Sequence, residues 1–334
     1  MKRAALFLLI AVCLGTAHAE QPQPLVRVKT IALGQLEGRV DHMCVDAKNE
    51  RLYVAALTND SLEVIDLKQG KRVRSLSGPR GPQGVTVLPD THEVVVASGE
   101  DGVFRLYDAT LNLVRFINQL EDADNVRYDS ASKRIYLGYG NALAAIDPVG
   151  PTKVAEVPLR GHPESFQIES KGPNIYVNIP ESREIAVIDK NSAEITAHWE
   201  LLEARENFSM ALDETNHRLF VGCRRPATVL IYDTNQGSYI GKVDCVGDAD
   251  DIYFDAERKL TYVTGGQGYI TVIGEVDPYL YKALATVATA PGARTSYFEP
   301  TSGTLYVAVP HRRKQPAEIW VYKVHSQGIA SATP

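Results

Sequence analysis

Seven copies of one apolar strand, spaced about forty residues apart, constrain this chain more than any other feature. Arg51-Leu52-Tyr53-Val54-Ala55 recurs as Arg134-Ile135-Tyr136-Leu137-Gly138 and Asn174-Ile175-Tyr176-Val177-Asn178, again around Phe220, Tyr262 and Tyr306, and more weakly at Val94-Val95-Val96. The copies centre on 53, 95, 136, 176, 220, 262 and 306, at intervals of 42, 41, 40, 44, 42 and 44. A second marker precedes each copy by about seven residues: Val45-Asp46, Leu88-Pro89, Tyr128-Asp129, Ile168-Glu169, Leu212-Asp213, Phe254-Asp255 and Phe298-Glu299. A third follows by about a dozen: Ile65-Asp66, Tyr107-Asp108, Ile146-Asp147, Ile188-Asp189 and Tyr232-Asp233, with Ile273-Gly274 and Tyr322-Lys323 in the last two copies.

Within each unit, short β-branched and aromatic runs alternate with Gly, Pro, Asn and Asp, and no stretch carries a helical period. A repeat of this length built from four strands is a propeller blade. In the first unit the strands fall at Met43–Val45, Leu52–Ala56, Ser61–Asp66 and Lys71–Ser75. The Asp that ends each third strand reads as the cap of a hairpin turn, not as one member of a ring of ligands. The seventh unit has strands at Thr295–Phe298, Leu305–Val309 and Glu318–Val324 but no fourth. The spare strand Leu25–Leu33 supplies it, which pairs the two open edges and closes the ring. The expected fold is therefore all-β, a seven-bladed β-propeller closed by an N-terminal strand, with one domain over residues 20–325 and a flexible tail over 326–334.

Residues 1–19 read as a signal peptide. Lys2 and Arg3 precede an apolar run from Ala4 to Leu14, and Ala17-His18-Ala19 has the small-x-small pattern of a cleavage site. The run is too short to span a bilayer, and Val12 before Cys13 does not suit a lipidation site. The expected location is periplasmic or secreted. Without Cys13 three cysteines remain, Cys44, Cys223 and Cys245, so at most one bridge can form and buried free thiols are the simpler reading. The formal charge of -6 becomes -8 when Lys2 and Arg3 are removed, and such an acidic chain has no electrostatic drive toward a phosphate backbone. No nucleic-acid partner and no transmembrane segment are expected.

The repeats seen best at Ile175-Tyr176-Val177-Asn178 and Thr261-Tyr262-Val263-Thr264 resemble the YVTN-type β-propeller repeats of the YncE-like family of exported bacterial proteins. The resemblance covers nearly all of the mature chain. It implies the propeller fold and export, and it implies no particular reaction. Gly38-Arg39-Val40-Asp41-His42, Gly161-His162-Pro163-Glu164-Ser165 and Gly247-Asp248-Ala249-Asp250-Asp251 are similar to stretches of one subgroup of that family.

In a propeller the segments just before the first strand of each blade converge on one mouth of the central channel. Here they bring Asp41, His42, Gln83, Asp124, Asn125, His162, Glu164, Glu206, Asn207, Asp248, Asp250, Asp251 and Arg294. The loops between second and third strands add Arg224, Arg225, His311, Arg312 and Arg313 on the same side. Three functions fit such a set. A small polar or anionic ligand would be clamped by Arg224 and Arg294 and oriented by Asn125 and Asn207. A divalent cation, Ca²⁺ or Mg²⁺, would be held by Asp124, Glu164, Asp250 and Asp251, and His42 or His162 would then serve as acid or base in a metal-assisted hydrolase or lyase. In the third, the loops form a scaffold for a protein or other cell-envelope component. No GxSxG, HExxH or phosphate-cradling Gly loop is present. Blades three to six are expected to supply most of the charge at the mouth, with blade two, carrying Gln83 beside Gly84, forming an uncharged side.

Overall fold

The computed structural model describes residues 23–325, so the expected signal peptide over 1–19 and the expected tail over 326–334 lie outside the described residues. Seven four-stranded antiparallel sheets form, each in the simple meander order A-B-C-D. Blades one to six occupy residues 43–77, 82–117, 126–158, 166–200, 205–244 and 249–288. Blade seven joins Ser296–Glu299, Thr304–Val309 and Ala317–Val324 to the N-terminal strand Leu25–Gly34. Leu25 pairs with Val324 and Gly34 with Ala317, so the chain's two ends share one sheet and the ring has no open seam. Among the described residues no helix is long and apolar enough to cross a membrane.

The repeated strand is strand B of each blade, Arg51–Ala56 in blade one and Asn174–Ile179 in blade four. It lies between A and C in its own sheet, and neighbouring blades cover both faces. That is why it reads as a continuous apolar run and not as an alternation. The core is accordingly divided among the interfaces between blades. Leu52, Val54 and Ile65 of blade one pack on Tyr306, Ile319 and Ile31 of blade seven, and Tyr176, Ile185 and Val187 of blade four pack on Leu219, Val221 and Leu230 of blade five.

The Asp residues that end strand C cap their turns, as expected. Asp66 accepts the amide of Gln69 at 2.7 Å, Asp189 that of Asn191 at 2.9 Å and Asp233 that of Asn235 at 2.9 Å. Cys44, Cys223 and Cys245 are all free.

Candidate functional site at the channel mouth

Strands A surround the channel. The residue of each strand A that pairs with the centre of strand B is Cys44, Thr86, Arg127, Gln167, Ala211, Tyr253 or Tyr297. All except Ala211 line a central shaft of about 330 Å³.

Just before this ring, strand A bulges. In blade one, Asp41 donates its amide to Ala55 O at 2.8 Å while the Ala55 amide reaches His42 O at 3.0 Å, so two residues oppose one. Asp124 and Asn125 face Gly138 in the same way, and Glu164 and Ser165 face Asn178. The register shifts of blades two, five and six fall at the same place, between Pro82 and Val85, Asn207 and Ser209, and Ala249 and Asp251. A β-bulge bends its strand and re-aims the extra side chain. The repeated bulge therefore delivers Asp41, Gln83, Asp124, Glu164, Phe208 and Asp250 to the mouth, with Arg294 at the equivalent position of blade seven.

Most of the charged residues at the mouth pair across blades. Asp250 lies between two guanidiniums: Arg224 Nη2 pairs with its Oδ1, and Arg294 Nε lies 3.2 Å from its Oδ2. Asp248 also approaches both, 3.1 Å from Arg294 Nη1 and 3.5 Å from Arg224 Nε. Arg224 itself stacks over the Phe208 ring, 3.9 Å from Cζ to the ring centre, and donates Nε to Ala249 O at 3.0 Å. Across the channel, His42 reaches Asp124 of blade three at 3.5 Å through Nε2 and Asp251 of blade six at 3.8 Å through Nδ1. Asp251 also accepts the Ser296 amide at 2.7 Å.

Burial opposes charge on His42, yet its close contact with Asp124 and the fields of Asp41, Asp124 and Asp251 outweigh it and hold its pKa up at about 10. His42 thus keeps its proton at neutral pH, which makes it a fixed cation and a poor general base. Asp124 is held below the usual carboxylate range: the contact with His42 and the nearby positive charge more than offset burial. Glu164 goes the other way. Burial, then the charges of Asp124 and Asp250, push it up to about 8. Burial likewise raises Asp251 to about 6.

Several placements differ from the expectation. Asn207 does not reach the mouth. It is fully buried between blades, where Nδ2 donates to Asn178 Oδ1 at 3.0 Å and to Glu184 O at 3.1 Å, because the bulge turns Phe208 toward the channel in its place. Glu206 turns aside to pair with Arg225 at 2.9 Å. His162 bonds the carbonyl of Gly140 at 2.8 Å, at the junction of blades three and four. Blade two is the uncharged side at the bulge, but blade one contributes as much charge as any other, with Arg39, Asp41 and His42. Arg39 was not among the expected residues. Its loop is pinned by Thr58, whose Oγ1 accepts the Arg39 amide at 2.9 Å, and its Nη2 lies 3.0 Å from Asp41. Arg39, Arg294 and Arg312 also line a rim pocket of about 230 Å³. Among the described residues no group of three or more His, Cys, Asp or Glu side chains is placed to hold a metal ion; Asp250 is paired with Arg224 and Arg294, and Asp251 faces His42.

Over 200 residues, 57% of this chain and 55% of the relative, the sequence is 27% identical to the uncharacterised protein YncE of Salmonella typhimurium. The chain is a distant homologue of YncE. The YncE of Salmonella typhi matches to the same extent. The chain spans about half the length of the curated relatives it matches, 55% in each case. No protein-family model matches it. Among solved structures, a chain in the crystal structure of the mitotic checkpoint complex superposes with a TM-score of 0.75 over 97% of this chain and 99% of that one, at 11% identity. That likeness shows a shared fold alone.

Proposed function

We propose that this YncE-like propeller is an exported, periplasmic or secreted, binding protein that takes a small polar ligand at the channel mouth. The ligand presents a positively charged or hydrogen-bond-donating group to Glu164 and Asp124. One observation carries this reading: Glu164 is aimed into the mouth by a backbone bulge and, among the described residues, has no hydrogen-bond or ion-pair partner for its side chain, whereas Arg224 and Arg294 are committed to Asp248 and Asp250. A carboxylate held in this way keeps a proton near neutral pH, and an incoming cation takes that proton's place. Paired guanidiniums leave less for an anion to bind, and a protonated His42 lends no support to hydrolase or lyase chemistry.

Thermal melts with ethanolamine, putrescine, glycerol, Ca²⁺ and Mg²⁺ test the reading. A ligand at a hundred times its Kd stabilises the native state by about 2.7 kcal/mol. An amine should raise the melting temperature, more at pH 8.5 than at pH 7, and Glu164→Gln should lose the effect. A rise with Ca²⁺ or Mg²⁺ that chelator reverses would assign the mouth to a metal instead. No response to any of these, in parent and variant alike, would refute ligand binding here and favour the cell-envelope scaffold.

A further inference from the structure

Beneath the mouth lies a second polar chamber with the opposite demand. The shaft of about 330 Å³ is walled by Asn125, Arg127, Gln167, Tyr253 and Tyr297, with Thr86 on the blade-two side, and by the pair His42 and Asp251, whose charges face each other at 3.8 Å. Arg127 is held from one side only. Its Nε donates to Phe166 O and its Nη2 to Ser165 Oγ at 3.2 Å, which fixes the guanidinium plane and leaves Nη1 without a protein acceptor among the described residues. No carboxylate among the described residues lies within ion-pair distance of it. A guanidinium enclosed without a counter-charge is costly, and burial pulls its pKa down. Beside it stands Asn125, only 5% exposed, whose side-chain amide likewise has no partner among the described residues. Of the other polar walls, Gln167 donates to Met210 O at 2.6 Å and Tyr253 to Ser296 O at 2.8 Å, which leaves the hydroxyls of Thr86 and Tyr297 also facing the chamber. The unpaired donors in this chamber thus include a fixed guanidinium edge and a buried amide, with the Thr86 and Tyr297 hydroxyls beside them.

We infer that the shaft is an anion site, in which Arg127 Nη1 and the Asn125 amide bind the carboxylate of a small organic acid. A planar carboxylate matches the guanidinium edge, and its second oxygen can take the amide donor. The chamber holds a molecule of a few carbons, with the tyrosine rings against its apolar part. This site differs from the one proposed at the mouth: Arg127 comes from the ring below, Asn125 sits in the bulge beside Asp124 but lines the shaft, and the ligand carries the opposite charge.

Calorimetric titration of the full chain with acetate and with malonate, at fixed ionic strength with chloride as the control ion, tests it. The carboxylates should bind and chloride should not substitute for them. Arg127→Gln should weaken binding at least tenfold, and Asn125→Ala should weaken it by a smaller factor. Glu164→Gln should leave carboxylate affinity unchanged, which separates this site from the mouth. If Arg127→Gln fails to fold, Thr86→Leu, which narrows the shaft and leaves Arg127 in place, must abolish binding instead. Absence of carboxylate binding by the parent would overturn the inference, as would undiminished binding by folded Arg127→Gln or by Thr86→Leu.

Discussion

Blades two and three pass so closely at the channel that a single methyl group should part them. A Cβ added at Gly84 would lie 1.9 Å from the carbonyl oxygen of Asp124 and 3.0 Å from Val126 Cγ1. The first obstacle is backbone, and it belongs to a bulge pinned by the Asp124 amide on Gly138 O at 3.0 Å, so no rotamer change relieves it. The strands have to separate by more than an ångström. Overpacking of a tight contact costs roughly 1–3 kcal/mol, and a contact with backbone falls at the upper end of that range. Unfolding entropy of about 2.1 cal/mol/K per residue over about 300 residues comes to ~0.6 kcal/mol/K, so ~3 kcal/mol lowers the melting temperature by about 5 °C. Gly150→Ala is the control, since nothing lies within 4 Å of a Cβ there, and it should shift melting by less than about 1 °C. Melting of the two variants and the parent, followed by circular dichroism in one buffer, measures both. If Gly84→Ala melts within about 1 °C of the parent, the two strands are not in contact at this point and the narrow wall described here is wrong.

Glu164 should make the protein less stable as pH rises. Its folded-state value of about 8 lies above the ordinary 4.5, so the folded chain holds a proton that the unfolded chain has lost, and stability declines from about pH 4.5 through 8. Glu164→Gln cannot ionise and should be more stable than the parent at pH 8.5 by on the order of 2 kcal/mol, with little difference at pH 4.5; equal pH slopes in denaturant titrations of the two would contradict this. Asn207→Ala should cost about 2–3 kcal/mol, because it strands Asn178 Oδ1 and removes a donor from Glu184 O in a dry interface. It should leave ligand affinity at the mouth unchanged, and a selective loss of binding in a stable Asn207→Ala protein would restore Asn207 as a ligand contact.

Much of this site was legible once the repeat was aligned. Counting back twelve from each strand B centre lands on Asp41, Gln83, Asp124, Glu164, Phe208, Asp250 and Arg294. Counting back nine lands on the shaft ring, Arg127, Tyr253 and Tyr297 included. Only blade five was read out of register, where polar Glu206 and Asn207 drew attention away from Phe208. An aromatic at that position is informative because a cation, Arg224, uses it as a platform. Arg39 carried no such signal. It lies outside the repeated positions, and a loop contact with Thr58 brings it to the mouth.

The blade count, the strand order and the closing strand follow from the sequence itself, because a strand covered on both faces must be apolar throughout and a four-stranded unit must recur with it. Which residues the bulge presents at the mouth follows as well, since the bulge repeats with the blade, although Arg39 arrives there by a loop contact outside the repeat. Their state of charge does not. His42 keeps its proton because Asp124 and Asp251 approach it from blades three and six, while Glu164 and Arg127, for which burial is the largest influence, make no ion pair among the described residues. Coulomb energy depends on distances of a few ångströms across the channel. Those distances join residues far apart in the chain, and they exist only once the ring has closed.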